Sequence, residues 1–463
     1  DLYGEGISGI LSEKNQAWYY QQNEGNGNFS PIELLAQKPS FQGLNQGLQF
    51  QDLEGSGERQ LVNWGANPKG FFNYKDREKW EGFQSFEQIP NRNISNDPNA
   101  RFIDLDGDGR PDLLITENDL FEWYPSEGKK GFGKANRLSK AMDEEEGARI
   151  VFSDQEQSIF LADMTGDGMT DIVRIKNGSV CYWANQGYGL FSAKITMANA
   201  PLFDYEGQFN PQYILLTDID GSGTTDIAYL GKDHIHIWAN HSGNSFATAP
   251  NIIYPFPTID NQIRIDFVDL LGTGTPCLVW SSMSAKDVNT PLKYINLTAS
   301  KKPHLLYKYE NNTGAAAEFE YISSTHFYLA DKKAGKPWAS KLPFPVHVVA
   351  KTTATDYIRN TVFSSKYSYH HGYYDHLERE FRGFGRVEQL DTEDFNQIDA
   401  LASNIHADHF QVPTKSVSWY HTGASFKDKT LTAAFAAEYY SNPDPDIEKL
   451  LEGTILPNSI PDE

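Results

Sequence analysis

The chain has 463 residues, of which 62 are acidic and 40 basic, for a formal charge of −22 at neutral pH. So large an acidic excess excludes the basic surface that nucleic acid or direct insertion into an anionic membrane surface requires. Two cysteines in this length exclude a disulfide framework and leave Cys181 and Cys277, both within apolar runs, as expected buried thiols. Aromatics at 13 % favour a strand-rich fold, and no apolar run is long enough to cross a bilayer.

Six times the chain writes an acidic, glycine-containing turn. The copies begin at Asp1, Asp52, Asp104, Asp163, Asp218 and Asp269, at intervals of 51, 52, 59, 55 and 51 residues. A recurrence this regular marks one supersecondary module per turn. No signal-like segment and no initiator Met precede Asp1, so the strand expected to lead into the first turn would lie before residue 1.

The first turn (Asp1, Tyr3, Glu5, Ile7, Gly9) and the second (Asp52, Glu54, Ser56, Glu58, Gln60) keep the spacing but few of the acids. The third is complete: Asp104, Asp106, Asp108, Arg110 and Asp112 occupy alternate positions, with Gly107 and Gly109 between them. The fourth offers Asp163, Thr165, Asp167, Met169 and Asp171, and the fifth Asp218, Asp220, Ser222, Thr224 and Asp226. The sixth (Asp269, Leu271, Thr273, Thr275, Cys277) is again degenerate.

Carboxylates crowded this closely repel one another by about 1 kcal/mol per close pair even in water. A hard divalent cation removes that cost. Calcium takes six to eight oxygens at flexible distances, which fits side chains at positions one, three, five and nine with the carbonyl of position seven, here Arg110, Met169 or Thr224. The alternative is a metal-free turn whose aspartates accept backbone N–H groups, and this is the expectation for the three degenerate copies. Any calcium would be structural. The residues that follow each turn are β-branched strand formers, and Ile115, Arg174 and Tyr229 stand where a helix-flanked calcium loop has its glutamate.

After each turn come two short apolar runs and a Gly or Phe marker. In the third module these are Asp112 to Thr116, then Leu120 to Tyr124, then Gly131-Phe132; the fourth and fifth repeat them. Such runs predict three or four strands per module. A sheet that small cannot cover both its faces, so the modules should stack radially into a six-bladed propeller over residues 1–302. The tryptophans that recur near the second run (Trp18, Trp123, Trp183, Trp238) are expected to pack between blades, the alternative being sugar pockets between them. The longest interval is enlarged by Leu138 to Gln157, whose acidic run Asp143 to Glu146 is either a solvated loop or a contact surface.

Residues 303–425 read as longer antiparallel strands, with alternation around Leu305 to Tyr309, Ala317 to Tyr321, Val346 to Val349, Phe363 to Tyr369 and Arg386 to Leu390. Gly383 and Gly385 predict a bulge or a close backbone approach. The density of His370, His371, Asp375, His376, Glu378, Arg379 and Glu380 suggests zinc or acid–base chemistry, but the spacing fits no ligand pattern, and cross-strand charge pairing is the expectation. Nucleophile elbows, a Cys beside a His and phosphate-cradling loops are all absent from the sequence. Residues 426–463 are predicted to be a helical or irregular connector, with weak helices within Leu431 to Leu451.

The strings DLDGDGRPD, DMTGDGMTD and DIDGSGTTD resemble the FG-GAP/VCBS repeat of integrin-like propellers. NNTGAAAEFEYISSTHFY, GKPWASKLPFPVHVV, YSYHHGYYDHLEREFRGFGRVEQLDTEDF and SWYHTGA resemble the middle region of the B component (TcB) of bacterial Tc insecticidal toxin complexes. That resemblance implies an all-β chain: a six-bladed propeller, then part of an Rhs-type shell wall. It also implies flanking SpvB-like and Rhs regions, expected to lie outside residues 1–463. By the same resemblance the protein would be a non-enzymatic part of a secreted complex assembled in the bacterial cytoplasm. Its propeller would dock on the pore-forming A component, and with a C component it would close a shell around a toxic polypeptide.

Overall fold

The computed structural model describes residues 1–392 and 412–439, apart from residues 16, 36–38, 40–46, 66, 76–78, 93, 95–96, 255–256, 258, 261, 300 and 425–429. Within them no helix is long and apolar enough to cross a membrane.

Modules two to five are four-stranded antiparallel meanders. Module three is typical, with strands Ala100–Ile103, Asp112–Thr116, Leu120–Tyr124 and Asn136–Ser139. The acidic turn joins its first strand to its second. Modules one (Ile10–Lys14, Ala17–Gln21, Glu33–Leu34) and six (Ile263–Val268, Cys277–Ser282, Leu292–Asn296) each form a sheet of three strands.

The core lies between modules. Successive side chains of a strand point to opposite faces, and the second strand of each module uses this to pack on both neighbours. Leu113 and Ile115 join module two's Val62, Trp64 and Phe71, whereas Leu114 joins module four's Ile172, Cys181 and Trp183. Val173 and Ile175 then meet Ile227 of module five, and Ala228 meets Leu278 of module six. Leu61 of module two packs with Trp18 and Tyr20 of module one. The remaining cluster sets Leu270, Leu271 and Val279 of module six against Phe29 of module one, so the sixth module packs on the first.

Trp18, Trp123, Trp183 and Trp238 are all buried in these clusters, the packing role expected for them. They do not share one register, however. Trp183 and Trp238 pair with Ile172 and Ile227, whereas Trp123 pairs with Leu114, one step along and on the opposite face. The insertion from Leu138 to Gln157 is likewise packed: Glu144 binds Arg174 at 2.7 Å and Lys194 at 3.3 Å, and its carbonyl accepts from the Trp183 indole at 2.9 Å. Cys181 and Cys277 are free and buried.

The middle region is a six-stranded antiparallel sheet of Lys308–Glu310, Ala315–Ser323, His347–Asp356, Thr361–Asp375, Glu380–Thr392 and Thr414–Trp419, in chain order. Between its second and third strands stands a helix, α1 (Ser324–Lys333), where only strands were expected. The aromatic and β-branched run Thr325 to Tyr328 reads as strand. The helical signals are subtler: Ser323 at the N-cap, Lys332 and Lys333 in the last turn, and Gly335 just beyond. Gly383 lies opposite a register shift between Tyr373 and Tyr374. Gly385 is a close approach, since a Cβ there would stand 2.6 Å from the Phe435 ring of a second helix, α2 (Thr430–Glu438). The expected helical stretch at 447–451 lies outside the described residues.

Candidate metal turns and the face they share

Every turn is folded by its first aspartate. Asp104 accepts from Gly107 and Gly109 N–H at 2.7 and 2.8 Å, Asp163 from Gly166 and Gly168 at 2.7 and 2.8 Å, and Asp218 from Gly221 and Gly223 at 2.7 and 2.9 Å. In the degenerate copies Asp1 still accepts from Gly6, Asp52 from Gly57 and Asp269 from Gly274. Both glycines of each of these six turns have positive φ, +79° at Gly107 and Gly109, a conformation that costs glycine nothing. The persistence of Asp and Gly where the other acids are lost therefore has a backbone cause.

The ninth position does a second job. Asp112 accepts from Leu105 N–H at 3.0 Å and Ser126 N–H at 2.7 Å, tying the turn to the end of the module's third strand. Asp171 does the same with Met164 and Asn185, both at 2.9 Å, and Asp226 with Ile219 and Asn240 at 2.9 and 2.8 Å. All three are almost fully buried. Burial pushes the Asp112 carboxyl up to about 7, with Asp106 and Asp108 adding to the rise against its two N–H bonds. Asp171 and Asp226 are raised to about 6 in the same way.

The acids gather unequally. Oxygens of Asp104, Asp106 and Asp108 lie within 4.8 Å of one another, as do those of Asp218, Asp220 and Asp226. Hard oxygen donors in that density fit a calcium ion. In the fourth turn no such group forms among the described residues. There Thr165 donates to Asp163 at 3.3 Å and Asp167 accepts from Met169 N–H at 2.8 Å. Arg110 N–H donates to Asp108 at 2.8 Å in the third turn, and in the fifth the Ser222 and Thr224 hydroxyls lie 3.0 Å apart.

What the sequence did not reveal is that the middle region covers this face. Arg379 lies over Gly109 and stands 3.9 Å from Asp104, while His304 is 3.3 Å from Asp220. Lys341 pairs with Glu58 at 2.7 Å, and Pro343 packs directly on Gly57. A Cβ at Gly6 would stand 2.9 Å from the Phe344 backbone, and one at Gly274 would stand 2.8 Å from the His347 ring. The turns that lost their acids (one, two and six) are thus the ones whose backbone meets the middle region most closely.

The dense histidine and carboxylate run is dispersed into structural pairs. His370 Nδ1 lies 2.5 Å from Asp331 of α1, which also accepts from the Trp338 indole at 2.7 Å. His371 accepts from Ala339 N–H at 3.1 Å through Nδ1 and lies 3.2 Å from Glu438 of α2 through Nε2. Arg382 holds Asp375 and Glu380 at 3.8 and 3.0 Å. Part of the expected pairing therefore joins sheet to helix instead of strand to strand.

Repeated small sheets hinged on acidic turns are similar to FG-GAP-type repeats, and the family model of the FG-GAP-like repeat matches residues 104–173. The model described as the insecticide toxin TcdB middle/N-terminal region matches residues 239–412. A structure of the Tc holotoxin pore of Photorhabdus luminescens shares the fold at a TM-score of 0.79 and 27 % identity, covering 96 % of this chain and 20 % of that one. A crystal structure of TcdB2-TccC3 matches at 0.65 and 26 % identity, over 96 % of this chain and 21 % of that one, and TcdB2-TccC3-Cdc42 at 0.65 and 26 %, over 96 % and 20 %. No curated protein matches. The chain thus resembles TcB-type components, and it spans about a fifth of the length of the chains it resembles.

Proposed function

We propose that residues 1–302 close into a six-bladed ring that docks on the pore-forming A component of a secreted Tc toxin. Residues 303–425 then form part of the wall of a shell completed by a C component, with 426–463 as connector. The ring admits the toxic polypeptide through its central channel when docking distorts it, and the chain itself carries out no chemistry. The observation that carries this reading is the run of six cores between modules, the last of which brings Leu270 and Leu271 to Phe29. Likeness to a Tc holotoxin pore over 96 % of the chain supports the setting.

Modules that are rigid within and joined by packing between can shift against one another without unfolding. Calcium at turns three and five would pin their hairpins. The sugar-binding alternative loses its anchors, because the tryptophans it needs are buried. The test is binding to a pore-forming A component by a protein that carries this chain together with SpvB-like and Rhs regions. A complex at micromolar concentration is expected, and no complex from a folded chain would overturn the reading.

A further inference from the structure

Modules one and six meet without sharing a strand, since among the described residues their three-stranded sheets are separate. Beside the Asn23 amide on Leu270 O and the packing of Phe29, α1 spans the junction. The Thr325 hydroxyl donates to the Gly272 carbonyl in turn six. On the same helix face, three and seven positions later, the Tyr328 hydroxyl and the Lys332 ammonium reach Glu5 Oε1 in turn one at 2.7 and 2.8 Å. Leu329 packs onto module one so closely that a Cβ at Gly25 would stand 2.8 Å from it, and Ile7 of turn one lies against Gly272 of turn six.

Glu5 is the telling residue. It is 8 % exposed and sits in a turn with no acidic cluster. Its second oxygen accepts from the Gln22 side chain of its own module. A carboxylate so buried needs its charge compensated, and α1 brings it the Lys332 ammonium.

We propose that α1 is the clasp of the ring: it holds modules one and six together in place of a shared strand, and it couples that junction to the middle sheet from which it projects. α1 follows strand Ala315–Ser323 directly and leads back to strand His347–Asp356, so displacement of the middle sheet by a partner loosens this one junction first. The inference rests on the ring reading above.

Hydrogen exchange of the whole chain tests it, comparing the unaltered protein with a Tyr328→Phe, Lys332→Met double variant and with Lys341→Met, which touches turn two instead. In the double variant, protection at residues 1–9, 23–29 and 269–275 is expected to fall by about tenfold or more. Turn four (163–171) should be unaffected, and Lys341→Met should leave the junction as it was. Tyr328→Phe alone, which keeps the apolar face of the helix, should give a smaller change in the same places. Unchanged junction protection, or an equal fall in all six modules, would overturn the clasp. Free exchange at turns one and six in the unaltered chain would mean that the ring itself is open, and would end the proposal with it.

Discussion

The side-chain amide of Asn23 donates to the carbonyl of Leu270 at 2.8 Å, joining residues 247 positions apart. The same bond recurs between ordinary neighbours: Asn185 reaches Asp104 O at 3.3 Å and Asn240 reaches Met164 O at 3.0 Å. Each asparagine also accepts from a backbone N–H of its own turn, at Gly25, Gly187 and Gly243. Replacing any of them by Ala leaves buried groups without partners and is expected to cost about 1–3 kcal/mol, read from urea unfolding. Asn23→Ala should weaken the junction of modules one and six as much as Asn240→Ala weakens that of four and five.

Two lysines of the middle region make similar-looking bridges with unequal consequences. Lys332 serves a Glu5 side chain that is 5 % exposed, whereas Lys341 and Glu58 are both more than half exposed. Lys332→Met strands a buried charge and should cost about 3–5 kcal/mol. Lys341→Met should cost less than about 1 kcal/mol, and denaturant midpoints distinguish the two.

Calcium is expected to bind turns three and five. Saturation at 100 times the dissociation constant would add about 2.7 kcal/mol per site, seen as calorimetric heat and a raised melting temperature. Asp106→Ala should remove the third-turn share and Asp220→Ala the fifth-turn share. Neither heat nor a melting shift in the unaltered chain would leave Arg379 and His304 as the charge partners of those turns.

Lys140 gives a pH signature. Its ammonium is buried, donates to the carbonyls of Glu117 and Ile150 and lies 4.8 Å from the Phe121 ring centre. Burial, aided by Arg149, lowers it from 10.5 to about 8. Between those values the unfolded chain binds more protons than the folded one, so this group makes stability rise as pH increases through that range, and the gain is lost as pH falls back through about 8. Unfolding series on the chain and on Lys140→Met should differ in slope there, the variant being flatter.

The sequence revealed the repeat because the turn needs Asp to fold its own backbone and Gly to adopt positive φ, so even the three degenerate copies kept the period. It revealed the strands of residues 308–392 for the same local reason, alternation. It hid whatever depends on long-range partners. Glu5 and Glu58 look like relics of lost metal ligands, yet each pairs with a lysine more than 280 residues away. Nothing near Arg379 signals that it lies on turn three, and α1 was masked by aromatics that it needs for packing beneath the sheet, where Phe327 and Tyr328 join Trp338 and Tyr369.

The return of the sixth module onto the first is tested most directly by a distance. Spin labels at Glu24 in module one and Tyr294 in module six, both exposed, flank the point where Tyr294 approaches Gly27. A short, narrow distance distribution is expected in the intact chain. A broad distribution centred at long distance would contradict the closed ring.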